Sequence, residues 1–196
     1  MPDSSVKPRL AGILLAAGKG ARFDPTGMQD KLMQLLPGGG SVARASARHF
    51  VSALPLVLAV VRPGAELLAG QLREAGCMVE VCPTAEQGMG ATLVFALSQM
   101  RDADGWLIAL ADMPYVQTAT FHALAEALRQ GVDIALPVYQ GRRGNPVGFS
   151  RRHLPQLLAL GGDQGARNLI KAHPVTEVMV EDSGVVRDID TAADLV

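Results

Sequence analysis

The stretch Ile13-Leu14-Leu15-Ala16-Ala17-Gly18-Lys19-Gly20-Ala21-Arg22-Phe23 constrains the fold more than any other part of the chain. Residues 10–17 form a continuous apolar run, the pattern of a strand buried on both faces in a parallel sheet. The run stops at Gly18-Lys19-Gly20, where glycines let the backbone turn and bring N–H groups close to phosphate oxygens. Lys19 and Arg22 add positive charge, and the planar fork of Arg22 suits phosphate. The first expectation is therefore a buried strand opening into a phosphate-binding loop.

Two well-known glycine loops do not fit. A Walker A loop needs Gly, four residues and then Gly-Lys-Ser/Thr. Here Gly20 follows Lys19 and Ile13 stands where the first Gly belongs, so the magnesium-binding hydroxyl is also missing. A dinucleotide fingerprint needs a third Gly where Phe23 stands and an acidic residue about 20 positions later, a region that here reads Leu36-Pro37-Gly38-Gly39-Gly40.

The rest of the chain alternates short apolar runs (56–61, 78–82, 107–110 and 134–138) with segments whose apolar residues recur at three and four (65–75, 91–100 and 118–129). This is the pattern of βαβ units, a mainly parallel sheet with helices on both sides. Runs at 146–149 and 176–180, separated by helical 151–160 and 166–172, are less regular and fit one antiparallel strand in a mixed sheet. Ligands of such sheets bind beyond the carboxyl ends of the strands where strand order reverses. The glycine loop and Ala111-Asp112 both follow apolar runs at that end, so one cleft is expected to hold both.

A chain of 196 residues with 48% hydrophobic residues supports one domain, residues 1–196, with a sizeable core. A formal charge of −1 leaves no overall basic footprint for nucleic acid, so any positive field must be local. The odd separation of Cys77 and Cys82 puts their side chains on opposite faces of a strand, against a mutual disulfide or shared metal, and both are read as buried free thiols. Residues 1–8 are polar, contain proline, lack a signal-peptide core and are expected to be flexible. No run has the roughly 20 apolar residues of a membrane helix. A cytoplasmic location and no membrane partner are expected.

The segment Leu15-Ala16-Ala17-Gly18-Lys19-Gly20-Ala21-Arg22, followed by Lys31, resembles the signature of nucleotidyltransferases that join an NTP to a phosphorylated acceptor and release pyrophosphate. Within them, the chain resembles the MobA-like molybdenum cofactor cytidylyltransferases. Further matching segments follow in the family's order: Gly88-Met89-Gly90-Ala91-Thr92-Leu93, Ala111-Asp112-Met113-Pro114, Gly144-Asn145-Pro146, Gly162-Asp163-Gln164-Gly165-Ala166-Arg167 and Asp188-Ile189-Asp190-Thr191-Ala192-Ala193-Asp194-Leu195. The resemblance implies a Rossmann-like three-layer α/β nucleotidyltransferase fold with a mostly parallel mixed sheet. It also implies transfer of CMP from CTP to the phosphate of molybdenum-bound molybdopterin, with Mg2+ as cofactor and a molybdoenzyme as possible recipient of the product.

Nucleotidyl transfer piles charge on phosphate oxygens, so positioned cations and a metal carry most of the catalysis. The resemblance assigns Arg22 and Lys31 to the triphosphate, although a longer loop than usual separates them. Pro25 and Gly27 in that loop suit a lid. Asp112 is the first metal ligand, against the plainer reading of an Asp that stiffens a turn. Asp190 is the second, with Asp188 as competitor, and either of them or Thr191 alternatively caps a short helix at 192–195. Leu15, Ala16, Ala17, Gly18, Lys19, Gly20, Gly88 and Thr92 complete the nucleotide site. Ala-Ala-Gly rather than Ala-Gly-Gly favours CTP over GTP, the added methyl at Ala17 narrowing the pocket against a purine. Asn145, Pro146, Gly162, Asp163 and Arg167 fall to the acceptor, while Asp163 and Arg167 also read as a plain helix cap and a surface charge. Three rivals remain: a guanylyltransferase, a transferase for another phosphorylated acceptor, and a non-catalytic carrier of the finished cofactor.

Overall fold

The structure is a computed structural model that describes residues 9–20, 22–26, 28–162 and 165–195, so the expectations for residues 1–8, Gly27 and Asp163 lie outside the described residues. Strand β1 (Leu10–Ala16) is central, flanked in parallel by β2 (Val57–Val61) on one side and β4 (Gly105–Leu110) on the other. Strand β3 (Met78–Val81) extends the sheet beyond β2. Beyond β4 the order runs β7 (Val147–Ser150), β5 (Ile134–Tyr139) and β6 (Arg142–Arg143), and β8 (Thr176–Met179) lies parallel to β5. Strand β7 is antiparallel to both β4 and β5, which is the antiparallel strand that the less regular C-terminal pattern suggested. The chain steps outward from β1 to β3 and then returns to place β4 on the other side of β1. That reversal opens a crevice at the carboxyl ends of β1 and β4.

Because successive side chains of a strand face opposite ways, the apolar run of β1 feeds two cores. Leu14 joins Phe50, Leu72, Leu107 and Leu124 on the face covered by α1 (Val42–Ala53), α2 (Glu66–Glu74) and α4 (Thr118–Arg129). Ile13 joins Leu58, Leu93, Trp106 and Phe149 beneath α3 (Met89–Gln99), α5 (Leu154–Leu158) and α6 (Arg167–Ala172). Cys77 belongs to the first core and Cys82 to the second, so the two free thiols lie on opposite faces as their spacing requires. Gly12 leaves room for the Phe50 ring, which a Cβ there would approach to 2.6 Å. Phe50 in turn stacks on Phe121 with centroids 4.5 Å apart, locking α1 to α4.

Two helices depart from the sequence pattern. Helix α1, absent from the segments that the apolar periodicity marked as helical, is capped by Ser41, whose hydroxyl accepts from the Arg44 N–H. The helical segment expected at 151–160 divides into a 3-10 turn, Arg151–His153, and the short α5, with Pro155 in its first turn.

The C-terminal segment is pinned to the rest at four points. Buried Asp182 accepts from Gln117 N–H (2.8 Å) and Thr120 Oγ1 (2.6 Å), capping α4 in place of its own Gln117. Gly184 packs so closely that a Cβ would overlap the Tyr115 carbonyl. The Asn145 N–H donates to the Val185 carbonyl at 2.9 Å, and the Ile189 N–H to the Asp112 carbonyl at 2.8 Å. At the end of the segment the Asp194 carboxylate accepts from the Thr191 hydroxyl (2.8 Å), Thr191 N–H (2.7 Å) and Asp190 N–H (3.1 Å). These donors, the Thr191 hydroxyl first, hold the Asp194 carboxyl below the usual carboxylate range.

Replacing Gly184 by Ala is expected to cost about 2 kcal/mol by overpacking, read as a lower thermal midpoint. Gly38→Ala, where a Cβ meets nothing within 4 Å, leaves the midpoint unchanged. For Asp194 the folded pKa is depressed, so its contribution is present above the unfolded value of about 4 and is lost as pH falls through the folded value. The difference in midpoint between wild type and Asp194→Ala should therefore persist from pH 7 to about 5 and vanish well below pH 4.

Candidate active site

The crevice at the ends of β1 and β4 is a cleft of about 430 Å3. Leu15, Ala17, Gly18, Lys19, Gly20, Arg22, Lys31, Gly88, Thr92, Asp112 and Asp190 all line it. Ala16 does not line it, because its side chain is buried in the core beneath the loop. Parallel pairing sets the two walls in register: Leu15 faces Leu110, and the Ala111 N–H donates to the Leu15 carbonyl at 3.0 Å. Asp112 therefore emerges beside the glycine loop. Ser46 on α1 supports this corner from below, its hydroxyl donating to the Ala111 carbonyl at 2.9 Å.

Gly20 adopts a φ of +64°, in the region that favours glycine, and the Lys31 side chain passes so near that a Cβ would lie 3.2 Å from it. Lys31 begins a 3-10 turn, Lys31–Met33, capped by the Asp30 carboxylate, which accepts from the Leu32 N–H at 3.0 Å. The loop preceding Lys31, expected to be long, is stapled. The Asp24 carboxylate accepts from Thr26 Oγ1 (2.6 Å), Thr26 N–H (2.8 Å) and Gln29 N–H (2.7 Å). The Thr26 hydroxyl is the main reason its carboxyl lies below the usual range. The extra length does not keep Lys31 from the site.

At the bottom of the cleft lies a charge cluster. The buried Lys31 ammonium is 2.6 Å from Asp112 Oδ2 and 3.5 Å from Asp190 Oδ1. Arg22, its side chain 81% exposed, reaches Asp190 Oδ2 at 2.5 Å. An ion pair so open to water is worth little by itself, whereas the Lys31–Asp112 contact is shielded at both ends. Asp112 Oδ1 is buried and has no hydrogen-bond partner. An orphaned carboxylate oxygen is costly unless something positive meets it. Among the described residues no three His, Cys, Asp or Glu side chains converge as a metal site. Two carboxylates with one free oxygen instead fit a magnesium-type ion, which takes one or two protein carboxylates and fills its octahedron with water and phosphate oxygens. The structure also separates the two C-terminal candidates: Asp190 lines the cleft, while Asp188 is exposed outside it. At the 3-10 helix Ala192–Leu195 it is Asp194 that bonds back to the chain, while the Asp190 carboxylate pairs with Arg22 and Lys31.

The opposite wall is formed by the N-terminus of α3. Gly88, with φ +110°, precedes it and no side chain caps it. The Thr92 hydroxyl donates to the Gly88 carbonyl at 3.3 Å and so braces this turn. Phe23, at the end of the first motif, also lines the cleft, as do Ala85 and Glu86, which lie just ahead of the Gly88 motif and were not singled out in the sequence. Met89 lines it as well.

None of the expected acceptor residues in the described part of the chain lines this cleft. Asn145 is half-buried, with its N–H on Val185, and Pro146 is buried after a cis peptide bond. Gly162 is exposed with φ +59°, and its carbonyl accepts from the Gly90 N–H at 2.8 Å. Arg167 is exposed at the start of α6. The Gly162 segment nevertheless borders the α3 wall, since a Cβ on Gly165 would meet Met89 Sδ at 3.4 Å.

Comparison with known proteins places the chain among nucleotidyltransferase-like relatives in sequence and fold. The chain is 31% identical to the purine catabolism protein PucB of Bacillus subtilis (strain 168), over 94% of this chain and 93% of that protein. Its fold superposes on Rv0371c of Mycobacterium tuberculosis H37Rv with a TM-score of 0.80 at 28% identity, covering 96% of both chains. A structure of Rv0371c in complex with manganese matches with a TM-score of 0.78 at 26% identity, covering 95% of each. Residues 12–178 match the MobA-like NTP transferase domain, and the chain belongs to the MobA-like NTP transferase family.

Proposed function

We propose that this MobA-like nucleotidyltransferase transfers CMP from CTP to the terminal phosphate of molybdenum-bound molybdopterin, forming molybdopterin cytosine dinucleotide and pyrophosphate. The observation that carries the reading is the convergence of the glycine loop, Lys31, Arg22, Asp112 and Asp190 on one cleft. A carrier of finished cofactor has no use for such a set. Ala17 lines the cleft, so its methyl narrows the space for a base and supports a pyrimidine. The whole activity is assigned to one domain, residues 1–196, working in the cytoplasm and delivering product to a molybdoenzyme. No helix among the described residues is long and apolar enough to cross a membrane.

In this mechanism the N–H groups of the glycine loop and the cations Arg22 and Lys31 hold the triphosphate. An acceptor phosphate oxygen attacks the α-phosphorus. The new oxygen–phosphorus bond forms as the bond to the β-phosphate oxygen breaks, and pyrophosphate leaves with the electron pair. The acceptor phosphate is already ionised near neutral pH, so no protein base is required. Asp112 and Asp190 would hold Mg2+, which when bound neutralises charge on the phosphate oxygens. The manganese bound by Rv0371c supports a divalent ion of this kind. Lys31 keeps the two carboxylates from repelling each other. It also lies within reach of the loop that would carry the β and γ phosphates.

The Gly162 segment and Asn145-Pro146 are assigned to the acceptor by family resemblance, although Gly162, Asn145 and Pro146 do not line the cleft. Arg167 supplies a cation for the acceptor phosphate, and Asp163 keeps its place in that site by family resemblance.

Pyrophosphate release with Mg2+ should occur with CTP, well above GTP, and only when molybdenum-bound molybdopterin is present. Asp112→Ala should lower turnover by a factor on the order of 100 or more, and, because it takes the nearest counter-charge from the buried Lys31 ammonium, it should also lower the thermal midpoint. Equal rates with GTP would move the assignment to a guanylyltransferase. Near-wild-type turnover of Asp112→Ala would remove Asp112 from the reaction.

A further inference from the structure

Strand β2 ends beside β1, Val61 pairing with Ala16, so the next residue, Arg62, emerges at the sheet end where the cleft opens. Its guanidinium is engaged at both tips. One nitrogen donates to the Gly18 carbonyl at 3.2 Å, and the other donates to Asp30 Oδ2 at 2.7 Å. Both partners of the Arg62–Asp30 ion pair are largely shielded, with side chains 26% and 20% exposed. The second Asp30 oxygen caps the turn that carries Lys31. The Gln34 side chain closes that turn from behind by donating to the Asp30 carbonyl at 3.0 Å. Arg62 itself does not line the cleft.

We propose that Arg62 is a positioning residue for the nucleotide site, bridging the glycine loop and the Lys31 turn so that both meet the triphosphate at a fixed spacing. The physical argument has two parts. In a trans peptide the carbonyl and the following N–H point in opposite directions. Holding the Gly18 carbonyl on Arg62 therefore turns the Lys19 N–H away from Arg62. Holding Asp30 fixes the first turn after the stapled loop, and with it the origin of the Lys31 side chain. The fork presents two separate nitrogens in a fixed plane, one to each acceptor. A lysine carries its three donors on one flexible nitrogen and does not reproduce that fixed spacing. The inference rests on the reading of this cleft as an NTP site.

The test compares wild type, Arg62→Ala and Arg62→Lys in calorimetric titrations with CTP, GTP and pyrophosphate in the presence of Mn2+. Hydrogen exchange is followed along the chain, and thermal midpoints are recorded. Arg62→Ala should weaken binding of the probe that wild type prefers on the order of tenfold, the scale of a lost charged hydrogen bond. Exchange should rise in residues 18–20 and 28–34 while the sheet stays protected. Millimolar guanidinium should restore part of the affinity to Arg62→Ala, and Arg62→Lys should fall between the two. Unchanged affinity of Arg62→Ala, with wild type binding well, would overturn the inference alone. So would a loss that tracks exchange rising across the whole sheet and resists guanidinium. Failure of wild type to bind any of the three probes would overturn the nucleotide reading and the inference with it.

Discussion

The Lys31 ammonium, 2.6 Å from Asp112 and 3.5 Å from Asp190, joins segments 81 and 159 residues apart in sequence. Each of these three groups would be unfavourable where it lies without the others. A buried lysine needs a counter-charge, and two converging carboxylates need a cation between them. The cluster thus holds the loop after β1, the end of β4 and the C-terminal segment in one arrangement. It also stops short of full satisfaction, because Asp112 Oδ1 is left without a partner. That remaining oxygen separates a structural ion-pair network from a site able to take a divalent ion.

The sheet makes the cluster possible. Parallel strands with their carboxyl ends on one side, and a reversal of order between β1 and β4, place two strand ends next to each other with no strand beyond to fill the gap. The remaining component comes from the C-terminus, held by Asp182, by the close approach of Gly184 to Tyr115 and by the Ile189 N–H on the Asp112 carbonyl. This last bond ties the backbone next to Asp190 directly to the backbone of Asp112. The geometry between the two carboxylates thus comes from main-chain pairing, which is stiffer than contact between flexible side chains.

Much of this was legible in the sequence, and the reasons for the remainder are physical. The central strands are continuous apolar runs and helices α2 to α4 carry apolar residues at a period of 3.6, and α4 was readable to its bounds, Thr118–Arg129. Helix α1 was less visible because Ala, Arg and Ser dominate its turns, with Phe50 its one large apolar anchor. Asp112 stood out because it follows an apolar run. Asp190 could not be chosen over Asp188, since alternation in an extended chain gives both the same side, and only the pinning of Ile189 decides between them. Arg62 gave no signal at all. Its partners lie 44 and 32 residues away, and an arginine after a strand carries no pattern of its own. The acceptor residues came from family resemblance alone, and none of those described lines the cleft.

The most direct test of the central claim is Mn2+ binding, followed by electron paramagnetic resonance in the presence of CTP, for wild type and Asp112→Asn. The account predicts one ion per wild-type chain and at least a tenfold loss of affinity in the variant, in which an amide replaces the carboxylate with the orphaned oxygen. Equal affinity in the two proteins would contradict it, and the charge cluster would then be a structural ion-pair network only.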